Sequence, residues 1–428
     1  MKILLLADIG TNETGFYHVG DEAMFEEVIK WYKRHQPTIE LGVLARSVSH
    51  TYLGISAYLH LPFPLAGHQA ILYCLKLMVK SVLDYRWGIN LFRTEQLSFV
   101  RSVLRYNILH FTGGGNIYSL CPSWLYYAFF LMFLFSLHKR KVIMTSQTIG
   151  PLQGIDRIFA RYFLNLPSLI GLRKPLNTPN LLDNYGVDKP RIVSMLDSAY
   201  NLPTKTGLLL PRTKRLRIGI SLHQLRGCEQ VILESVAHAL TDLAEIERVE
   251  LVLIPHILIK ENNKEWGKWY MKQLVKRLPS NIKVTAPSYT KIVSSGSSQA
   301  QTIKYLTSCC DVMVVTRYHG LIFSLSTNTP VLVLSSGEYY NHKNINALKF
   351  LYGDHYLKYF VDLGQPSAEV EVTNKLKSLI SKRKAEEGKL EKNNEKLSKR
   401  MDIFSLDQLF PWLGVKIEDE YGKNKAVY

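Results

Sequence analysis

A chain of 428 residues exceeds what one hydrophobic core usually serves, so two domains are expected. Its apolar content of 46% and charged content of 21% are those of an ordinary globular protein. The formal net charge of +17 favours anionic partners: nucleic acid, a phosphate-bearing small substrate or an acidic membrane face.

The opening Ile3–Ala7 run meets Asp8 at once, is too short for a signal h-region, and reads as a first buried strand. A helix follows over Asp21–Arg34, with Ala23, Met24, Val28 and Trp31 on one side. Further strands are expected at Leu41–Ala45, Asn107–Phe111 and Lys141–Thr145. Residues 65–105 form a long helical insertion mixing Lys76, Lys80, Arg86, Arg93, Arg101 and Arg105 with Leu, Tyr, Trp and Phe. That mixture suits either an ordinary helical cap or an amphipathic surface resting on an anionic membrane. Trp124–Leu137 is intensely apolar, but 14 residues are too few for the roughly 20 that span a bilayer, so a helix buried against the sheet is expected.

The second half repeats the pattern, with strands at Arg217–Ser221, Glu250–Pro255, Ile282–Thr285, Asp311–Val315 and Pro330–Leu334. Helical segments such as Glu229–Glu245 and Lys264–Arg277 lie between them. Continuous apolar strands separated by helices imply parallel sheets covered on both faces. The fold class is therefore α/β, with two doubly wound Rossmann-like domains in a GT-B-like arrangement. The Pro-, Gly- and Thr-containing stretch Asn201–Arg215 sets the boundary, giving domains over 1–205 and 206–380. Residues 381–428 form a charged helical tail, in which Lys382–Arg400 carries eight Lys/Arg against four Glu. Apolar residues within 403–413 are expected to dock that tail onto a domain.

Five scattered cysteines (Cys74, Cys121, Cys228, Cys309, Cys310) show no C-x-x-C pair, which argues against a disulfide framework and suits a reducing, cytoplasmic compartment. D-x-D, H-E-x-x-H and Cys/His clusters are also missing, so neither a metal nor a cofactor is expected.

In open parallel sheets ligands sit at the carboxyl ends of strands, which gives weight to motifs placed there. Thr11–Met24 (T-N-E-T-G-F-Y-H-V-G-D-E-A-M) follows the first strand; Gly15 and Gly20 permit close backbone approach, and Asp21 can cap the helix. Gly113, Gly114 and Gly115, followed by Asn116, form a loop whose entropy cost suits a wall against which a ligand packs. Ser146–Pro151 (S-Q-T-I-G-P) follows another strand and offers the Gln147 amide. The strongest signal is T-R-Y-H-G at Thr316–Gly320, between a strand and the helix Leu321–Thr327. There Arg317 presents a planar fork for phosphate or carboxylate, His319 can give a hydrogen bond or a proton near neutral pH, and the helix N-terminus favours an anion. Arg173, His223, His256 and Lys343 are supporting basic groups, His256 standing just past a strand end.

Taken in order, these pieces resemble the polysaccharide pyruvyl transferase family. The matching segments are H-V-G-D-E-A-M (18–24), T-G-G-G-N-I (112–117), S-Q-T-I-G-P-L (146–152) and R-Y-H-G-L-I-F-S (317–324). Gly171-Leu172-Arg173, Ser194–Tyr200 and Tyr340-Asn341-His342-Lys343 add to the likeness, which covers roughly residues 1–352. The chain departs from the family pattern at His18 (often Asn), at Lys174 (often Asp) and in the expanded 65–105 region. The resemblance implies phosphoenolpyruvate as donor, a sugar or lipid-linked glycan as acceptor, and a cyclic ketal as product. It makes 1–205 the acceptor side and 206–380 the donor-anion side. Arg317 would bind phosphate or carboxylate, assisted by Arg173; His319 would bind the same anion and act as general acid; Asp21 would be a base for an acceptor hydroxyl. Peripheral contact with the inner membrane face would suit a lipid-linked acceptor.

Two rival readings share these features. One is a GT-B glycosyltransferase using a nucleotide-sugar. The other is a non-catalytic protein binding a membrane or nucleic acid, although dispersed basic residues without a recognition motif speak against nucleic acid as a partner.

Overall fold

The computed structural model describes the chain apart from residues 13–14, 46, 49–54, 56, 61–67, 174–177, 189–190, 205–206, 224, 226, 258–259, 262–263, 289–290, 293–297, 401–404 and 414–428. Lys174, Ile403, Phe404 and the end of the tail thus lie outside the described residues. The chain divides into two compact units. The first comprises Met1–Ile9, Met24–Ser198 and Met401–Tyr428; the second comprises Gly10–Ala23 and Ala199–Arg400.

The first unit is built on parallel strands β1 (Lys2–Leu6), β2 (Glu40–Ala45), β3 (Ala57–His60), β4 (Ile108–Phe111), β5 (Gly114–Ile117), β6 (Lys141–Ile149), β7 (Leu169–Leu172) and β8 (Ile192–Ser194). Their order is β8-β7-β6-β4-β1-β2-β3, with β5 beside β6, so the connection reverses between β1 and β4. Strands buried on both faces explain the unbroken apolar runs. Alternate residues of β1 divide between two cores: Leu4 and Leu6 face one helical layer, Ile3 and Leu5 the other.

On the first face lie α2 (His68–Trp87), α3 (Thr94–Val103), α4 (Pro122–Leu137) and α5 (Ile155–Phe163). The apolar α4 is buried along most of its length, from Trp124 to Phe135, beneath α2. It is a core helix, as its length predicts. On the opposite face lies α1 (Val19–His35), through Phe25, Val28, Trp31 and Tyr32. The tail returns to that same face. Leu406, Leu409 and Leu413 join the core of Ile3 and Leu5, and Asp407 accepts a hydrogen bond from Trp31 Nε1 at 2.8 Å.

Two expectations need correcting here. The S-Q-T-I segment is not a loop after a strand, because β6 runs on through Ile149 and buries all four residues. The irregularity is instead a bulge: Ser146 has a φ of 51°, and the β6–β7 register shifts between Ile170 and Leu172. The triple glycine is likewise only partly a loop, since Gly114–Ile117 pairs with β6 as β5.

The second unit repeats the design with β9 (Leu216–Ser221), β10 (Val249–Leu253), β11 (Lys283–Thr285), β12 (Val312–Val315), β13 (Val331–Ser335) and β14 (Phe360–Asp362). All pairs are parallel and the order is β11-β10-β9-β12-β13-β14. The covering helices include α6 (Glu229–Ile246), α7 (Gln299–Ser308), α8 (Tyr318–Ser326), α9 (Glu338–Tyr352), α10 (Ala368–Ser381) and α11 (Arg383–Leu397). The charged segment α11 is more than a solvated helix: Leu390 and Leu397 are buried, and Glu386 is buried against Lys358 (2.9 Å) and Lys389 (3.1 Å). Each unit therefore has the doubly wound order, with its switch point where the first and fourth strands meet.

Candidate active site

In the second unit the switch point lies between β9 and β12, and the candidate residues collect at the carboxyl ends of these strands and of β10. Thr316 and Arg317 follow β12; Arg317 is the N-cap of α8, with His319 in its first turn. The helix starts three residues earlier than Leu321, so His319 is a helical residue whose ring direction is set by α8. The Arg317 side chain makes no capping bond of its own. Arg317 thus stands at a helix N-terminus, a place that favours an anion.

Histidines arrive from the neighbouring strand ends. His223 lies two residues past β9; its backbone N–H donates to Thr316 Oγ1 (2.7 Å), and its Nδ1 is 2.8 Å from the same oxygen. His256 follows β10, buried at 4% exposure, with Nδ1 2.7 Å from Ser221 Oγ. Phe323, one turn into α8, packs its ring against His256 (5.6 Å between centroids) and His319 (6.4 Å). Lys343, on α9, lies over the Tyr318 ring at 4.6 Å and near Tyr339 at 5.9 Å.

The segment Gly10–Ala23 completes the group. His18 adopts a φ of 56°, and its carbonyl accepts from Asp21 N (2.9 Å) and Glu22 N (3.1 Å), starting α1. Val19 N–H donates to the His256 carbonyl at 3.1 Å. A Cβ on Gly20 would fall 1.8 Å from His319 Nδ1 and 1.9 Å from its Cγ, so only glycine lets this turn lie on the imidazole. Asp21 sits half-buried in that same first turn.

The electrostatics follow from this crowding. Burial, then Arg317 and His319, push His256 down to about 3. Burial also drives His223 well below the ordinary histidine range, and Arg317, Lys343, His256 and His18 push the same way. Both rings are therefore neutral at physiological pH, beside the cations Arg317 and Lys343.

The other expected site residues lie in the first unit, at or beyond the carboxyl ends of its central strands. Gly113 has a φ of 130° and would set a Cβ 2.5 Å from Met24 Sδ, so this loop lets α1 pack closely on the sheet. Gly114 also has a positive φ, at 127°, and Gly115 continues β5. Asn116 donates to Asp8 Oδ2 at 2.7 Å, which ties β5 to the end of β1. Gln147 is buried and gives its amide to the carbonyls of Thr145 (2.9 Å) and Phe111 (3.3 Å). Arg173 forms an internal ion pair with Asp197 at 2.8 Å, both side chains buried, and donates to Thr148 Oγ1 at 3.0 Å. The geometry makes Arg173 a brace for the end of β6 within its own unit.

Sequence reasoning passed over His18 as a departure and left His223 as a minor group. The rule that singled out His256, a histidine just past a strand end, selects His223 equally well. All five cysteines are free thiols, and no group of His, Cys, Asp and Glu placed to hold a metal occurs among the described residues.

Two doubly wound parallel sheets of this order define a GT-B-like α/β protein. Solved structures of that class match nearly its full length at low identity. S. aureus MnaA, solved with UDP, is 12% identical with a TM-score of 0.56, covering 100% of this chain and 99% of that one. A glycosyltransferase from Rickettsia africae is 12% identical with a TM-score of 0.53, covering 92% and 93%. The UDP-GlcNAc 2-epimerase of Methanocaldococcus jannaschii is 10% identical with a TM-score of 0.52, covering 89% and 93%. No curated protein matches the sequence. The family model of polysaccharide pyruvyl transferases matches residues 18–338, and the chain belongs to that family. It is a transferase, and the matched span includes His18, His223, His256, Arg317 and His319, with Lys343 five residues beyond it.

Proposed function

We propose that this chain transfers a pyruvyl group from phosphoenolpyruvate to a sugar of a polysaccharide or glycolipid precursor in the cytoplasm. The observation that carries this reading is the pairing of Arg317 with His319 at the N-terminus of α8, among neutral histidines and Lys343. Phosphoenolpyruvate brings a phosphate and a carboxylate on one small carbon frame. Arg317 gives a bidentate fork to one of them, and the helix amides and Lys343 stabilise the other. His223 and His256, kept neutral, offer hydrogen bonds without competing for the anion as counter-charges.

In the proposed reaction His319 protonates the methylene carbon of the enol, leaving an oxocarbenium-like centre at the adjacent carbon. Two neighbouring hydroxyls of the acceptor sugar add there, and the C–O bond to phosphate breaks. One hydroxyl proton replaces that lost by His319, and the other leaves on inorganic phosphate. Asp21, close in sequence to Gly20, is the candidate base for a sugar hydroxyl. Arg317 contributes most as charge gathers on the departing phosphate. No step calls for a metal or a cofactor. A lipid-linked acceptor would bring the enzyme to a membrane face.

The fold likeness to UDP-binding S. aureus MnaA supports a second reading, a nucleotide-sugar glycosyltransferase. Thermal shift separates the two. Phosphoenolpyruvate should raise the midpoint, and at about 100 times its Kd the gain should be about 2.7 kcal/mol. UDP should leave it unchanged. Stabilisation by UDP alone would overturn the pyruvyl assignment, as would the absence of phosphate release from phosphoenolpyruvate across a panel of free and lipid-linked glycans.

A further inference from the structure

The helical insertion carries an exposed surface that the reaction does not use. Helix α2 buries Ala70, Cys74, Leu77 and Ser81 against the layer that contains α4. Its opposite stripe, at i, i+4 and i+7 spacing, shows Leu72 (62% exposed), Lys76 and Val79 (60%) to solvent. The connection after α2 continues the pattern with Trp87 at 65% exposure, Ile89 at 47% and Leu91 at 52%, flanked by exposed Arg86 and Arg93. Large apolar side chains left in water together mark a binding surface. The insertion is braced, since Lys80 Nζ donates to Gln96 Oε1 at 3.2 Å and Gln96 Nε2 to Tyr73 Oη at 2.7 Å. The surface is therefore presented by a formed structure.

Charge selects the occupant. Residues 68–105 hold six Lys/Arg (76, 80, 86, 93, 101, 105) against two acids (Asp84, Glu95), a local net charge of +4. A second copy meeting this surface about a two-fold axis would set +4 against +4, which opposes self-association. An anionic bilayer instead offers both complements: negative headgroups for the basic residues, and an interfacial layer in which Trp and aliphatic side chains are stable. We propose that the α2–α3 insertion is a membrane-docking surface for anionic lipid, with Trp87, Ile89 and Leu91 as the inserting residues. The donor chemistry is not part of this argument, so vesicle binding and pyruvyl transfer can fail separately.

The test is cosedimentation with phosphatidylcholine vesicles, with and without about a third phosphatidylglycerol, a fraction that gives a strongly anionic surface. The full-length protein should bind the anionic vesicles, lose that binding as salt rises, and ignore the neutral ones. The triple variant Trp87→Ser, Ile89→Ser, Leu91→Ser keeps the net charge, and should bind anionic vesicles at least about tenfold less tightly with an unchanged melting temperature. Arg86→Glu with Arg93→Glu should lose binding as well. Brominated lipid should quench wild-type fluorescence, and the quenching should fall in Trp87→Phe. Wild-type binding by the triple variant would overturn the proposal, since the general +17 charge would then explain adsorption. Absence of vesicle binding, or a dimer in ultracentrifugation that the triple variant splits, would overturn it too.

Discussion

Replacing Gly20 with alanine puts one methyl group against the imidazole of His319. The new Cβ would lie 1.8 Å from His319 Nδ1, and ordinary contact begins near 3.4 Å, so the ring or the turn must retreat by about 1.6 Å. The turn resists, because Val19 N–H is bonded to the His256 carbonyl and the His18 carbonyl already serves two amides of α1. The ring is the softer partner, although Phe323 and Tyr318 limit its swing. Alanine itself favours a helix by about 0.5–1 kcal/mol over glycine, whereas overpacking costs about 1–3 kcal/mol. Net stability should therefore change by no more than about 2.5 kcal/mol. Activity should fall much further, since a misplacement near 1 Å can cost about 100-fold, or about 2.7 kcal/mol of transition-state stabilisation. The assay is steady-state phosphate release from phosphoenolpyruvate, with urea unfolding as the control for folding. In a His319→Ala background the same substitution should cost almost nothing, because the clashing ring is gone. Full activity in Gly20→Ala, or an equal loss in both backgrounds, would refute the contact as the reason for this glycine.

Arg317→Ala should lower kcat/KM for phosphoenolpyruvate by about 100–1,000-fold, with Arg317→Lys recovering only part because it lacks the planar fork; an intact rate in the alanine variant would remove Arg317 from donor binding. Burial holds His256 near 3 in the folded chain against 6.5 when exposed, so below pH 6.5 the unfolded state takes a proton that the folded state refuses. Stability should thus be intact above pH 6.5 and fall by about 2 kcal/mol per such histidine on going from pH 7.5 to 5. Urea unfolding of His256→Phe should show a shallower pH slope, and an identical slope would contradict the buried neutral ring. Leu409, fully buried in the tail, should cost about 2–4 kcal/mol when cut to alanine, and a change under about 0.5 kcal/mol would show that the tail is dispensable to the first unit.

Much of this architecture is legible because parallel strands covered on both faces read as near-continuous apolar runs. β1, β2, β9, β10, β12 and β13 are such runs, and the expected boundaries lie within two residues of those observed. Among the strands that sequence reading misses, β8 and β14 are three-residue edge strands, and β7 is a four-residue run holding Gly171. The second half of β6 was hidden by composition. Ser146, Gln147 and Thr148 look like loop residues, yet they are buried through bonds that short-range pattern cannot show, such as Ser146 Oγ to Ser198 Oγ at 2.6 Å across 52 residues.

The same limit governs the site. Arg317 and His319 are two residues apart beside a helix start, so their association is local and readable. Arg173 has equal chemical promise by type, but its fate depends on Asp197, 24 residues away, which neutralises it in the interior of the first unit. Whether an arginine serves a ligand or the protein is decided by the carboxylate that the fold brings to it. In the second unit Lys343 lies over the Tyr318 and Tyr339 rings, and the charges of Arg317 and Lys343 both bear on His223, which burial keeps neutral. A carboxylate introduced at His223, as Asp or Glu, should consequently abolish donor binding more thoroughly than alanine there. It would satisfy the cations from within, as Asp197 does for Arg173.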